Sequence, residues 1–349
     1  MLPIEPEREP AVRRLFYVAL FATTLLPFLL VPFATTYKPD ARSMVLAISM
    51  LGFLGGVGHV GLTGFYYSEP EFRQFFRTRA VRFFLMPAAV VAGTAMVYQV
   101  GTPVVKAYVL AGYFIWQTYH YQRQNHGVLS FVAAATRTGP PLWQEKTAFD
   151  LSCFAGILAL FSLLQLDRNT ALESHAMFLF DVGRTCMLLP IPVLLGWALY
   201  RNRRAGLAAW PRTLTTILGS LFFLPSFLFT SSIQAVSSYA WAHGLQYYVF
   251  MYFVGRGGQD RERDWRIFAL VASCFVLGGA LFMFSDTALW GGYADAVFGA
   301  YLGLVMVHFL VDAGVWRLRE PFQGRYLRQA FGFLFSSPSE GPPQAGARV

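Results

Sequence analysis

Charged residues are scarce in this chain of 349 residues, since Asp, Glu, Lys and Arg together make up only 13% of it. A soluble domain usually carries about 25% charged residues. Apolar residues make up 55% of the chain, and no stretch of ordinary polarity is long enough to fold as a separate aqueous domain. The composition excludes a soluble enzyme on a membrane anchor and predicts a protein that lies within the bilayer.

Cysteine is nearly absent as well. Cys153, Cys186 and Cys274 each stand alone within an apolar run. The chain therefore has neither a disulfide framework nor the paired spacing of a zinc motif. Its formal net charge is +9, but the basic residues lie in short blocks between apolar runs, which is the pattern that orients membrane proteins. We therefore expect the lipid bilayer, and no nucleic acid, as a partner.

Long apolar runs, broken by charges, Pro and Gly, predict an all-α fold, a polytopic membrane helix bundle with about ten transmembrane helices. The predicted spans run near residues 15–36, 43–67, 81–101, 103–135, 147–166, 183–202, 212–233, 235–255, 265–285 and 289–316.

The distribution of Lys and Arg supports this count. With ten spans, 22 basic residues fall on one side of the membrane and 5 on the other, and Arg123 lies within a span. Because cytoplasmic loops carry the excess of basic residues, the N and C termini are both predicted to be cytoplasmic. Residues 1–330 are predicted to form a single transmembrane helical domain. Residues 331–349, rich in Ser, Pro, Gly and Gln, predict a disordered C-terminal tail.

Five of the six histidines lie within the predicted spans: His59 in the second, His120 and His126 in the fourth, His243 in the eighth and His308 in the tenth. Ionisable side chains within a bilayer are costly and by default indicate function. The four spans all run in the same direction, and each histidine lies near the middle of its span or towards its cytoplasmic end. This matched depth predicts a metal site in the cytoplasmic half of the bundle. The alternative is that each imidazole only hydrogen-bonds a neighbouring helix.

The motif WQTYHYQRQNHG, residues 116–127, contains two of these histidines. His120 and His126 point about 120° apart around a helix, so they cannot share a narrow face, and which of them is a ligand stays open. Arg123 is a candidate catalytic residue that could neutralise a substrate carboxylate or a buried Asp. Alternatively, its side chain extends to the inner membrane surface.

The motif WAHGLQYY, residues 241–248, places Gln246 and Tyr247 three and four residues after His243. An amide and a phenol on the same helical face can orient an imidazole or bind a ligand oxygen. We therefore predict Gln246 and Tyr247 as further catalytic candidates.

In VHFLVDAGVWRLR, residues 307–319, Asp312 follows His308 by one helical turn. The two side chains can face one point, and an imidazole with a carboxylate is a ligand pair that iron favours. Alternatively, Asp312 pairs with an arginine at the inner surface. Glu145 and Asp150 are further carboxylates near the start of the fifth span, where such residues are more often interfacial.

Together, His59, His120, His126, His243, His308 and Asp312 are predicted as metal ligands. Iron is the first choice of metal, ahead of copper or zinc. Iron in a lipid-accessible bundle implies oxygen chemistry, and 34 Phe, 17 Tyr and 8 Trp residues suit a hydrophobic small-molecule substrate. We thus predict a metal-dependent oxygenase acting on a lipid or isoprenoid, with a cytoplasmic electron donor as a candidate partner. A transporter or proton relay, and a bis-histidine haem electron carrier, remain alternatives.

The segments around His59, His120, His126, His243 and His308 resemble a family of histidine-rich bacterial multi-pass membrane proteins. More distantly, they resemble integral-membrane non-haem iron oxygenases such as the Brp/Blh β-carotene dioxygenases. This resemblance implies an iron held by histidines of the spans and a location in the bacterial inner membrane. The chain departs from the membrane di-iron desaturases, because its six histidines form no H-x3-H or H-x-x-H-H cluster.

Overall fold

The computed structural model describes residues 9–36, 53–166, 173–206, 209–229, 231–257 and 260–335, and within these ranges all regular secondary structure is helical. The α-helices are α1 (Glu9–Thr36), α2 (Gly58–Leu62), α3 (Gly64–Ser68), α4 (Pro70–Arg77), α5 (Met86–Val100), α6 (Pro103–Ala135), α7 (Trp143–Leu166), α8 (Glu173–Leu188), α9 (Pro190–Arg204), α10 (Trp210–Ser220), α11 (Pro225–Leu228), α12 (Ser232–Arg256), α13 (Asp260–Ala272), α14 (Gly278–Ser285), α15 (Ala294–Val315), α16 (Pro321–Ala330) and α17 (Gly332–Phe335). Three π-helical turns, Phe53–Val57, Val81–Leu85 and Ser273–Leu277, and two 3-10 turns, Thr287–Leu289 and Gly291–Tyr293, complete the described elements.

Six helical stretches among the described residues are long and apolar enough to cross a membrane. They are Glu9–Val31, Val81–Val100, Trp143–Leu164, Ser174–Arg204, Asp264–Ser285 and Gly291–Val315. Each corresponds to one of the ten predicted spans. The all-helical, membrane-spanning character predicted from composition is therefore confirmed at this coarser level.

The other four predicted spans have two different structures. The long helices α6 and α12 cover residues 103–135 and 235–255, but their polar side chains lower the mean hydropathy. The predicted span 43–67 begins outside the described residues, and its described part is divided into short helices. The predicted span 212–233 is interrupted by a turn between α10 and α11. Three of these four segments carry His59, His120, His126 and His243, so the polarity that suggests function also weakens the membrane signal there. His308 and Asp312 lie instead in the apolar stretch Gly291–Val315.

The predicted disordered tail begins too early in the sequence. Phe331, Phe333 and Leu334 are buried, and residues 332–335 form α17. The Phe333 ring lies 4.9 Å from that of Phe253, and Arg13 donates hydrogen bonds to the carbonyl of Phe333. The reason for the error is compositional, because the Ser- and Pro-rich sequence starts only after these apolar residues. Residues 336–349 lie outside the described residues.

The helices that surround the predicted site pack through aromatic side chains. Phe16 of α1 makes edge-to-face contacts with Phe250 and Phe253 of α12, at centroid separations of 5.5 and 5.4 Å. Phe131 of α6 joins the same core through Phe250, at 5.4 Å. Such pairs add about 0.5–1.5 kcal/mol each beyond the area they bury. This packing fixes α6 and α12 relative to each other close to the histidines they carry.

Candidate metal centre

Four histidines from four different helices meet in the interior of the bundle. His59 lies on α2, His120 on α6, His243 on α12 and His308 on α15, and all four are buried. Neighbouring ring centroids are 4.8 Å apart for His59–His243, 4.9 Å for His243–His120, 5.0 Å for His120–His308 and 5.1 Å for His308–His59. Across the group, His243 and His308 are 6.5 Å apart. We refer to these four side chains as the histidine cluster.

One carboxylate lies beside the histidine cluster. Asp312 Oδ2 is 3.6 Å from His308 Nε2 and 4.0 Å from His120 Nε2. The phenol of Tyr247 donates a hydrogen bond to the other oxygen, Oδ1, at 2.9 Å. The ligand atoms of His59, His243 and His308 lie within 4.8 Å of one another, as do those of His120, His308 and Asp312. Two overlapping sets of metal-ligating groups thus share His308.

The imidazole nitrogens of the cluster are poorly supplied with hydrogen bonds. Within the described residues, His59 Nδ1, His120 Nε2, His308 Nε2 and both ring nitrogens of His243 are buried without a partner. Buried polar atoms in folded proteins nearly always have one, because leaving them unpaired costs free energy. Five of the eleven buried side-chain atoms without a hydrogen-bond partner among the described residues belong to the histidine cluster. Neutral imidazole nitrogens gathered in this way can act as metal ligands.

Thr63, which the sequence analysis did not single out, orients one member of the cluster. Its Oγ1 lies 2.6 Å from His308 Nδ1. When Nδ1 donates this hydrogen bond, the lone pair of Nε2 is free to bind a metal, and such partners outside the ligand shell fix the tautomer of a ligating histidine. The only signal in the sequence is that Thr63 follows His59 by four residues.

Tight backbone packing brings His59 to the cluster. A Cβ atom at Gly244 would lie 2.6 Å from the carbonyl oxygen of Gly55 and 3.1 Å from His59 Nδ1. On the other side, a Cβ at Gly61 would lie 2.6 Å from the amide nitrogen of Gly278. The two separations of 2.6 Å are shorter than those that real Cβ atoms make. Glycine at positions 61 and 244 therefore allows the segment that carries His59 to pack closely between α12 and the start of α14. The π-helical turn Phe53–Val57 precedes α2, and such turns often occur at functional sites.

Three other predicted site residues lie away from the cluster. His126 Nε2 is 2.9 Å from Asp150 Oδ1, and the Asp150 side chain is largely exposed. Gln246 donates to Thr24 Oγ1 at 2.7 Å and accepts from Gln124 at 3.0 Å. The structure therefore brings together His59, His120, His243, His308, Asp312 and Tyr247, while it leaves His126, Gln246 and the exposed Arg123 outside the cluster.

Glu145 belongs to a second buried polar group, in which it pairs with Arg212. Both side chains are fully buried, and Arg212 Nη2 is 2.7 Å from Glu145 Oε2. The carboxylate also accepts hydrogen bonds from Asn202, Thr216 and the amide of Leu142. Arg212 in turn donates to the carbonyl oxygens of residues 138–140. This group, the Glu145–Arg212 network, ties α7, α9 and α10 to the loop after α6.

A cavity of about 1200 Å³ reaches the histidine cluster from the side where α6 and α15 end and α7 begins. Its buried wall includes His120, Tyr247 and Asp312, and the rings of Phe250 and Phe309 add apolar surface. The ring of Phe309 stacks on that of His120 at 4.3 Å. Ordinary small-molecule pockets have roughly 300–1,000 Å³, so this cavity is large enough for an extended substrate next to the predicted ligands.

No protein-family model, curated protein or solved structure matches the chain.

Proposed function

We propose that the chain is a membrane-embedded oxygenase in which His59, His120, His243, His308 and Asp312 hold a non-haem iron ion. The observation that carries the proposal is the set of buried imidazole nitrogens without partners, gathered from four helices beside a carboxylate. Imidazole and carboxylate ligands with positions left for small molecules are typical of non-haem iron sites, with copper and zinc as the next candidates.

The spacing of the ligand atoms fits a bound ion after a small contraction. A metal–imidazole bond is about 2.0–2.1 Å long, so two nitrogens on one ion lie at most about 4.2 Å apart. The atoms of each ligand set lie within 4.8 Å of one another. Side-chain movements of up to about 1 Å would bring the three atoms of either set onto one ion, since three evenly spread ligands lie about 3.6 Å apart.

Bound iron would supply the activation of dioxygen, and the chain's own residues would prepare the site. Thr63 holds the His308 ring by its Nδ1 atom, and Tyr247 holds one oxygen of Asp312 by a hydrogen bond. Phe309 packs flat on His120, which limits rotation of that ring. The cavity admits a hydrophobic lipid or isoprenoid substrate to the face lined by His120 and Asp312.

The proposal includes ten spans with both termini in the cytoplasm of a bacterial inner membrane. Its support is the 22 to 5 distribution of Lys and Arg. In this arrangement the cavity lies towards the cytoplasmic side, where an electron donor could approach. Reporter fusions should read as cytoplasmic after residue 75 and as external after residue 104, and the opposite result at either position would remove this orientation.

Two alternatives use the same residues. A bis-histidine haem would need a flat, wide porphyrin between two facing imidazoles. The His243 and His308 rings are 6.5 Å apart, but the rings of His59 and His120 lie within 5.1 Å of both, in the space that the porphyrin would need. A transporter or proton relay is favoured by one observation, since His120, Arg123 and Asp312 all line the same cavity.

The proposal is tested on purified protein that has been reconstituted with ferrous iron under anaerobic conditions. We expect about one iron per chain, no haem Soret band, and oxygen consumption that depends on an added hydrophobic substrate and a reductant. A chain that retains no metal, or that moves protons across vesicles without consuming oxygen, would favour the relay.

A further inference from the structure

The large cavity changes character between its buried and its exposed ends. His120, Tyr247 and Asp312 at the buried end are shielded from solvent, whereas the basic residues that line the cavity are all exposed. These basic residues are Arg123, Arg137, Lys146, Arg317, Arg319 and Arg328. They come from α6 and the loop after it, from the start of α7, and from the segment between α15 and the end of α16, and we call them the basic rim.

Among the described residues that line the cavity, exposed acidic side chains are fewer than the members of the basic rim. Only two exposed carboxylates line the cavity, those of Asp150 and Glu320. Asp150 lies 2.9 Å from His126, and Glu320 lies 4.0 Å from Arg317. Among the described residues, no carboxylate comes within 4.0 Å of Arg123, Lys146, Arg319 or Arg328. The rim thus carries a surplus of positive charge that faces the cavity.

Membrane topology alone does not require this convergence. Basic residues that orient a membrane protein serve anywhere on the cytoplasmic side, as the exposed Arg73 and Arg77 of α4 do without lining the cavity. Six basic residues from three parts of the chain surround one opening, and that opening leads to Asp312. A cleft lined by one sign of charge concentrates ligands of the opposite sign.

We propose that the cavity binds an amphiphile with an anionic oxygen head group, a carboxylate or a phosphate, at the basic rim. Its hydrocarbon chain then lies along Phe250 and Phe309 towards His120 and Asp312. Arginine suits this head group because its planar guanidinium donates paired hydrogen bonds to carboxylates and phosphates. The inference rests on the proposed function, since it names the class of substrate for that site and the end from which the substrate enters.

The test is equilibrium binding of labelled oleate, oleyl phosphate and oleyl alcohol to metal-free protein in phosphatidylcholine nanodiscs. We expect both anionic probes to bind at least about tenfold more tightly than the alcohol, and added salt to weaken only the anionic probes. The anionic head group could belong to a bilayer lipid or to a free amphiphile, and competition with phosphatidylglycerol distinguishes them. Displacement of labelled oleate indicates a bilayer lipid, and no displacement indicates a free amphiphile.

Substitutions locate the head group. Arg123→Gln and Arg319→Gln should each weaken oleate binding roughly fivefold while the alcohol is unaffected, because a solvent-exposed charge pair contributes modestly. Arg77→Gln is the matched control on the same side of the membrane and should change neither. Equal affinity for oleate and oleyl alcohol, or loss of oleate binding in Arg77→Gln to the same extent, would overturn the inference.

The two proposals fail in distinguishable ways. If oleate binds at the rim but the protein retains no iron, the substrate class stands and the oxygenase does not. If iron binds and the anionic head gives no advantage, the metal centre stands and the head-group recognition does not.

Discussion

The histidine cluster and the Glu145–Arg212 network are both buried polar groups, yet they differ in how many of their atoms are hydrogen-bonded. In the network the carboxylate and the guanidinium are fully bonded, and only Asn202 Oδ1 lacks a partner among the described residues. The Glu145 carboxylate accepts from four separate residues, and Arg212 adds backbone carbonyls to its ion pair. His243 is equally buried and has no partner at either nitrogen. Burial therefore does not by itself distinguish function from architecture. The feature that distinguishes the histidine cluster is that several ligand atoms without hydrogen-bond partners lie close together.

The difference leads to opposite expectations for substitution. Removing one partner from a satisfied network leaves a buried charge unpaired and destabilises the fold. Removing a member of an unsatisfied cluster should leave the metal-free fold nearly unchanged and abolish binding.

The largest effect is expected from breaking the network. Arg212→Met should lower the free energy of unfolding by about 3–5 kcal/mol, because it strands the Glu145 carboxylate in the interior. The double variant Glu145→Leu with Arg212→Met should recover part of this loss. Unfolding by SDS titration of the detergent-solubilised protein measures both. A single variant as stable as the wild type would contradict the structural role of the network.

The next effect is expected in the histidine cluster. His243→Ala should lose most of the bound iron while still inserting and folding, because the metal-free form loses no side-chain hydrogen bond of His243. His59→Ala, His308→Ala and Asp312→Ala should also lose most of the iron, and the last two additionally remove the partners of Thr63 and Tyr247. His126→Ala is the matched control, since its ring faces Asp150, and it should retain the wild-type metal content. Metal analysis of monodisperse protein checks this, and full iron in the His243 variant would end the comparison.

A weaker loss of metal is expected when only the support of a ligand is removed. Tyr247→Phe deletes the hydrogen bond to Asp312 and should lower iron affinity about 10–100-fold, which is typical for partners outside the ligand shell. The neighbouring Tyr248 contacts Cys274 instead, so Tyr248→Phe should leave iron affinity unchanged. Competition with a chelator gives both affinities. Equal losses in the two variants would indicate a general packing effect.

The smallest effect is expected at Gln246, which joins α12 to α1 and α6. Gln246→Leu should lower the free energy of unfolding by about 1 kcal/mol, because it removes hydrogen bonds to Thr24 and Gln124. Iron content should be that of the wild type. Loss of iron in a fully folded variant would return Gln246 to the candidate site.

The sequence indicated the depth of the histidines but not the directions of their side chains. The angle between His120 and His126 predicted that only one of them could face a narrow site, and neighbouring helices decide which. Gln246 and Tyr247 follow His243 by three and four residues and so lie on opposite sides of its direction along the helix. Only the second points to Asp312.

Residues that depend on long-range packing could not be predicted. Thr63 bonds a histidine 245 residues away in sequence, and its position four residues after His59 does not indicate which side chain it contacts. The position of Glu145 near the start of a span predicts an interfacial carboxylate. In the structure the side chain is buried and pairs with Arg212, which is distant in sequence. The short helices around His59 also depend on packing, because close contacts with Gly244 and Gly278 hold them in place.

The central claim is that imidazoles of the histidine cluster ligate a metal, and X-ray absorption at the iron K-edge of the reconstituted protein tests it most directly. The account predicts nitrogen and oxygen scatterers near about 2.1 Å, with the outer-shell pattern of at least three imidazoles that disappears in His243→Ala. A first shell that contains sulfur, or one of oxygen alone without imidazole scattering, would contradict it.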